Sequence, residues 1–338
     1  VSVQGLQQRK TATVKNHAQM RALIVTNMWP SASDPALGSF VRDQVNALRE
    51  LDGVDLEVFA FPPRGYARAA RELHRRHRRG ERFDVVHAHF GLSAWPALAL
   101  RGSRHVVTLH GTDLRHPRSK RITRAALPFL DLVAAVSADL AREVPGAGAR
   151  RQVAVLPCGV DLDRFAPIPR AEARAQLGLP ADEPCVLFPA APARRVKRFD
   201  RAHEAAAGTR LLTLGDVDPS KVPIYVNAAN AVLVPSDHEG FGLAVLEALA
   251  CDVPVLATPT GVHPAALDGV PGTLCAPFEP DAWRAALRPH VDAPDPRIPG
   301  RARAELWSAR RMARRVLDAW DEVLRLPVEA PRPGALSV

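Results

Sequence analysis

The sequence predicts an α/β protein of two domains, each built on a parallel sheet. Three observations point there. The chain has 338 residues, enough for two domains of ordinary size. Short apolar runs alternate with helical patterns in both halves, the mark of parallel sheet covered on both faces. Between the halves lies PCGVDLDRFAPIP, residues 157–169, a turn-rich connector. A hydrophobic fraction of 47% supplies packed cores, and 24% charged residues is ordinary for a globular chain.

The elements follow in order. Residues 1–19 are polar and basic, lack the apolar core of a signal peptide, and are expected to be a disordered or artefactual extension. MRALIVT, 20–26, is a strand, and a Pro-containing loop ends at Gly38. Phe40, Val41, Val45 and Leu48 recur at helical spacing. Strands are expected at 54–61, 84–89, 105–109, 130–136 and 152–156, with a helix at 91–100. The second half repeats the plan, with strands at 185–190, 210–214, 231–234, 253–257 and 273–275 and helices at 280–291 and 301–326. The domains therefore run over 20–157 and 158–326, with the last helix free to pack back on the first domain and a tail at 327–338.

The net charge is +9. Nucleic acid is not the expected partner, because aromatic content is only 5% and neither zinc-finger spacing nor an RNP-like run occurs. An anionic membrane or a phosphorylated substrate explains the charge equally well. The segment from Arg64 to Arg82 holds eight arginines against two glutamates. Two readings of it stand: a solvated helix, or a basic amphipathic helix lying on anionic lipid, with Lys120, Arg121 and Arg124 extending the surface. No apolar run is long enough to span a bilayer. Cys158, Cys185, Cys251 and Cys275 form no C-x-x-C pair, which points to a reducing cytoplasm and small buried apolar roles, with membrane association if the basic helix meets lipid. Asp161-x-Asp163 and Asp216-x-Asp218 read as turns.

The chemistry concentrates in residues 235–250, PSDHEGFGLAVLEALA. A buried strand, 231–234, leads into a polar turn ending at Glu239. Gly240, Phe241, Gly242 and Leu243 then open an Ala- and Leu-rich helix that carries Glu247. Such a junction points unpaired N–H groups at a ligand and favours negative charge. Glycines let the backbone approach that ligand, and carboxylates accept hydrogen bonds from sugar hydroxyls. The stretch therefore suits a ligand carrying both phosphate and sugar; the alternative is a buried crossover whose glutamates face water. A dinucleotide fingerprint fits worse, with Val245 where a third Gly would stand.

Taken together these motifs resemble the retaining glycosyltransferases of family four, which share the GT-B fold of two Rossmann-like domains facing across a cleft. Glu239 to Glu247 is similar to their E-x7-E motif. VTNMWPSASDPALGSFVRDQVNAL, LPCGVDLDRFAP, and Arg194 with Lys197 match in order and spacing, and the likeness covers residues 20–326. Within the family the ALACDVPV turn is most similar to teichuronic acid and exopolysaccharide glycosyltransferases.

The resemblance implies transfer of a sugar from a nucleotide-diphosphate donor, UDP- or GDP-linked, to a glycan, lipid-linked or small-molecule acceptor in cell-surface polysaccharide assembly. It implies no cofactor and no metal. Glu239 would accept from the donor sugar's hydroxyls, Gly240 to Leu243 would hold sugar and phosphate, and Glu247 would bind the ribose. Arg194 and Lys197 would hold the diphosphate, Gly38 would let its loop approach it, and His110, in HGTD, would sit beside the anomeric carbon. Asp113 is an acceptor-side candidate, and His89 keeps a structural reading. A front-face retaining route is implied. Asn230 departs from the usual Asp, Val262 from a second Gly and Ala265 from a frequent Glu. The 197–239 stretch, where the base pocket is normally built, is short. A non-catalytic sugar-nucleotide-binding or partner subunit is the alternative.

Overall fold

The computed structural model describes residues 19–146, 148, 152–215 and 217–326. Apart from Gln19, the expected N-terminal extension lies outside these residues, as do the expected tail and Asp216. The first sheet is formed by β1 (Met20–Thr26), β2 (Val54–Ala60), β3 (Val85–His89), β4 (Arg104–Leu109), β5 (Leu132–Ala135) and β6 (Ala154–Val155), all parallel, in the order β2-β1-β3-β4-β5-β6. The second comprises β7 (Cys185–Phe188), β8 (Arg210–Thr213), β9 (Ala231–Val234), β10 (Val255–Ala257) and β11 (Leu274–Cys275), also parallel, in the order β11-β10-β9-β7-β8.

Helices α1 (Ser39–Arg49), α2 (Tyr66–Arg78), α3 (Ala94–Ala97), α4 (Thr112–Arg115), α5 (Pro117–Ala126) and α6 (Ala138–Glu143) belong to the first domain. Helices α7 (Arg170–Gln176), α8 (Phe199–Ala206), α9 (Val222–Ala228), α10 (Leu243–Ala250), α11 (His263–Leu267), α12 (Pro280–Asp292) and α13 (Arg301–Ala304) follow in the second, and α14 (Ala309–Arg325) comes last.

The two-residue period of a strand sends Ala22 and Ile24 to one face of β1 and Leu23 and Val25 to the other. Ala22 and Ile24 join Val45 and Leu48 of α1 and Val316, Leu317 and Trp320 of α14, so the last helix completes the core of the first domain. In the second domain Val186, Phe188 and Leu233 pack with Ala202 of α8 and Trp283 and Leu287 of α12. Asp161 Oδ1 accepts from the N–H groups of Asp163 and Arg164 and closes the turn expected there. Cys185 and Cys251 are buried, Cys158 and Cys275 partly so, and all are free thiols.

Three expectations are corrected. The helix expected over 301–326 is broken: Ser308 is extended (φ −62°, ψ 152°) and its hydroxyl caps α14 by accepting from Arg311 N–H. The break arises where Val160 N–H donates to Trp307 O at 2.9 Å and Ala309 N–H donates to Val160 O at 2.8 Å, which pins the returning chain to the connector. The helix expected over 91–100 is a single 3-10 turn, Gly91–Ser93, followed by α3. Helix α2 keeps no apolar face for lipid, because Ala69 and Leu73 are buried in the domain core and only its charged face looks outward. Part of that charge is matched within the domain, Arg76 pairing with Glu57 at 2.6 Å and with Glu81 at 2.5 Å.

Candidate active site

In an open parallel sheet the crevice lies beyond the C-terminal strand ends, where strand order reverses. In the first sheet that point lies between β1 and β3, and in the second between β7 and β9. The loops leaving these ends carry the expected site residues. Gly38 follows β1, His89 ends β3, His110 follows β4, Arg194 and Lys197 follow β7, and Glu239 follows β9.

The two sets of loops touch. A Cβ placed on Gly240 would lie 2.1 Å from the carbonyl oxygen of His110, so only glycine fits at this crossing. Arg115 Nη1 donates to Glu239 O at 3.1 Å, and Ser137 Oγ donates to Gly240 O at 2.9 Å. The first domain thus grips the turn of the second by two of its carbonyls.

Glu239 is buried, 9% exposed. Lys197 Nζ donates to both its oxygens, at 2.7 and 2.8 Å, and Ser236 Oγ donates to Oε1 at 2.7 Å. Burial pushes this carboxyl up, but Lys197, with His263 and Ser236, outweighs it and holds it below its usual value. The turn itself is tied down by Asp237, which pairs with Arg198 at 3.1 Å and Arg201 at 3.0 Å. Arg194 is exposed at the head of the 3-10 turn Arg195–Lys197.

Phe241 is buried and its carbonyl accepts from Val262 N–H at 2.7 Å. Gly242 (φ 99°) precedes α10, whose N-terminus has no side-chain cap, and Leu243 opens the helix. A Cβ on Gly242 would lie 2.4 Å from His263 Nε2. His263 is fully buried, and its Nδ1–H donates to Thr258 O at 2.8 Å, since a carbonyl can only accept.

Glu247 is partly buried on α10. Burial pushes its carboxyl up to about 7; the negative charge of Asp43 adds to the rise, and Arg164 opposes it. Asp43 on α1 pairs with Arg164 of the connector at 2.9 Å.

On the facing side, Gly38 (φ 66°) starts α1, and a Cβ there would lie 2.2 Å from Met28 O. The ring of His110 packs on Phe40 (centroids 4.8 Å) and stacks on His89 (5.3 Å). Burial, then His89, push His110 well below the ordinary histidine value. Asp113 does not sit where an acceptor could reach it. It is fully buried, and its carboxylate accepts from the N–H groups of Gly91 (3.3 Å), His110 (3.0 Å) and Gly111 (2.8 Å). It fastens the loop beneath His110.

Sequence reasoning missed Arg115, Ser137, Ser236, His263 and His87, and gave His89 a structural reading only. Their roles arise from contacts between distant segments, and only Ser137, ahead of a short helical run, carries a local signal as an N-cap. Asn230 explains its own departure. Its Oδ1 accepts from Arg174 (2.7 Å) and Cys185 N–H (3.1 Å), while its Nδ2 donates to the carbonyls of His290 (2.9 Å) and Ala293 (3.0 Å). A carboxylate has no donor for those two carbonyls.

Two family models match this chain: "Glycosyltransferase Family 4" over residues 21–164 and "Glycosyl transferases group 1" over residues 191–297. A D-inositol 3-phosphate glycosyltransferase of Kineococcus radiotolerans is 31% identical over 342 residues, covering 78% of each chain. Proteins of the same name from Geodermatophilus obscurus (31% identical, 61% of this chain) and Mycobacterium avium (37% identical, 43% of this chain) are also similar. The chain spans 59% and 42% of the length of these two relatives. These relatives carry the inositol phosphate name, where the sequence had suggested the teichuronic acid subgroup. Among solved structures, sucrose-phosphate synthase from Thermosynechococcus elongatus superposes with TM-score 0.69 at 23% identity, covering 90% of this chain and 99% of that one. Anabaena HepE in complex with UDP-glucose gives TM-score 0.69 at 17% identity, covering 90% and 100%. The fold is thus that of the GT-B enzymes, two Rossmann-like domains facing each other.

Proposed function

Because the chain belongs to the glycosyltransferases of family 4 and group 1, we propose that it moves a sugar from a nucleotide-diphosphate donor to an acceptor hydroxyl with retention of configuration. The observation that carries this reading is the arrangement at the second switch point: Lys197 and the uncapped N-terminus of α10 at the Glu239–Leu243 turn, Arg194 exposed on the same loop as Lys197, and His110 facing the turn from the other domain. The leaving diphosphate gains negative charge in the transition state, and fixed cations and N–H groups there lower the barrier. Arg194 and Lys197 supply that charge from side chains, so transfer is proposed to be metal-independent. Glu239 and the turn bind the sugar, Glu247 the ribose.

Both oxygens of Glu239 are already engaged by Lys197, and one also by Ser236, which makes it a poor nucleophile. This favours the front-face route. The bond from the anomeric carbon to phosphate oxygen breaks, the acceptor oxygen bonds on the same face, and its proton passes to the departing phosphate. UDP, bound by HepE, is the first donor base to test. The acceptor is proposed to be a glycan, a lipid-linked intermediate or a phosphorylated small molecule. The sugar phosphate or inositol phosphate class enters through the names of the similar proteins, and cell-surface polysaccharide assembly is one place for such a step.

The test is a thermal-shift screen against nucleoside diphosphates and their sugars, followed by turnover of the ligand that binds. A ligand that prefers the folded state raises the melting temperature. Failure of every nucleotide sugar to do so would sink the reading. Binding without hydrolysis or transfer would instead favour a non-catalytic binding subunit.

Peripheral contact with an anionic membrane from the cytoplasmic side is part of the same proposal. Among the described residues no helix is long and apolar enough to cross a membrane. Helix α5 exposes Arg118, Lys120, Arg121 and Arg124 and has no acidic residue. Beside it Trp95 (40% exposed) and Phe129 (46%) form an aromatic pair, ring centroids 6.2 Å apart. Charge from α5 with these aromatics beside it suits a headgroup layer. Sedimentation with phosphatidylglycerol vesicles, lost on replacing the four α5 cations by Ala, is the expected result. Equal sedimentation of both proteins would remove the contact.

A further inference from the structure

A chain of buried rings links α1 to His110. Gln44 Nε2 lies 3.1 Å from His89 Nε2, and His89 Nδ1 lies 3.1 Å from His110 Nε2. An amide NH2 only donates, so His89 Nε2 accepts. A neutral imidazole then carries its proton on the other nitrogen, and His89 Nδ1–H donates to His110 Nε2. His110 Nε2 accepts in its turn, which places the proton of His110 on Nδ1. Burial holds all three rings neutral: His89 is pushed down to about 3, and His87 and His110 well below the ordinary value.

His87 is fixed by a separate route and leaves His89 undisturbed. Trp320 Nε1–H donates to His87 Nδ1 at 3.1 Å, so His87 Nε2–H donates to Thr108 Oγ1 at 2.8 Å. Towards His89 it offers only a stacked ring face, centroids 4.7 Å apart.

We propose that Gln44, acting through His89, locks His110 in the Nδ1–H form, so that His110 meets its ligand as a hydrogen-bond donor and has no lone pair left to serve as a base. Gln44 and His89 are positioning residues for His110. Among the described residues its Nδ1 has no hydrogen-bond partner, and His110 is only partly buried. The inference rests on the reading above only in naming the ligand, a hydroxyl oxygen of the transferred sugar. A hydroxyl both donates and accepts, but a fixed N–H selects one orientation of it. That leaves the hydroxyl's own hydrogen for a carboxylate such as Glu239.

The test is nitrogen-15 NMR of histidine side chains in the full chain, with the His110 signals assigned by difference against His110→Asn. The wild-type protein is expected to show a protonated Nδ1 and a bare Nε2 at His110. Gln44→Glu reverses the polarity: the carboxylate accepts from His89 Nε2–H, His89 Nδ1 becomes the acceptor, and His110 is expected to switch to Nε2–H. Gln44→Met removes the bias and is expected to give a mixture. With UDP-glucose as probe, kcat/KM for its hydrolysis is expected to fall about tenfold or more in Gln44→Glu, the worth of one well-aligned hydrogen bond. Nε2–H at His110 in the wild type, or Nδ1–H unmoved by both substitutions, overturns the proposal. The spectra need no substrate, so failure to bind any nucleotide sugar would sink the functional reading and leave the tautomer result standing.

Discussion

Ser137 of the first domain donates its hydroxyl hydrogen to the carbonyl of Gly240 in the second, at 2.9 Å, while its oxygen caps α6 by accepting from Leu140 N–H at 3.3 Å. One hydroxyl therefore starts a helix and holds the opposite turn. The glycine it holds is the one with no room for a side chain, so domain approach and turn placement are a single event at this point.

Gly240→Ala tests that coupling. The added methyl meets the His110 carbonyl, 2.1 Å from where a Cβ would lie, and must push the domains apart. Small misplacements of reacting groups cost about 100-fold in rate. Turnover is expected to fall at least that far with far-UV circular dichroism unchanged and a larger radius of gyration in solution scattering. Unchanged turnover would mean that the contact is incidental.

Lys197→Met should cost both binding and stability. It strands the buried Glu239 carboxylate, and breaking one side of such a pair costs about 3–5 kcal/mol. Adding Glu239→Gln should recover most of the stability in urea unfolding, while donor binding stays lost. A single variant as stable as wild type would show that the pair carries little.

Glu247 predicts two pH effects. Its folded pKa of about 7 lies above the ordinary 4.5, so between these values the folded state keeps a proton that the unfolded state has released. Stability therefore falls as pH rises through that window, and Glu247→Gln flattens this part of the curve. Nucleoside diphosphate affinity should run the other way, rising as pH passes 7 and the carboxylate forms to accept from the ribose hydroxyls. Calorimetric titration at pH 6 and pH 8 checks it, and equal affinities would separate Glu247 from the ribose.

Trp320→Ala removes a fully buried ring from the first domain's core and leaves His87 Nδ1 without its donor. The cavity alone costs about 3–5 kcal/mol. Trp320→Phe keeps most of the volume and should lose only the hydrogen bond, about 1–3 kcal/mol. Thermal unfolding of the two variants distinguishes packing from polar loss.

The strands were legible because each is a short apolar run bounded by turn residues, and those runs place Lys197 and Glu239 at neighbouring strand ends. What the pattern could not carry was anything settled between distant segments. Nothing local marks Arg115 as the donor to Glu239 O. The helical period runs straight through Ser308, and only backbone pairing with Val160 breaks it. Asp113 looked free in HGTD because sequence does not show that three N–H groups converge on it. Nothing local marks His87 as the acceptor for Trp320 of α14.

Helix α14 has a consequence for how the molecule is made. It supplies Met312, Val316, Leu317 and Trp320 to a core whose other members lie in the first domain. On the ribosome that domain emerges first, yet the sheet face that α1 covers in part lacks α14 until the second domain has been synthesised. At roughly 5–20 residues per second this wait is on the order of ten seconds. The core of the first domain is thus completed only when the last helix arrives.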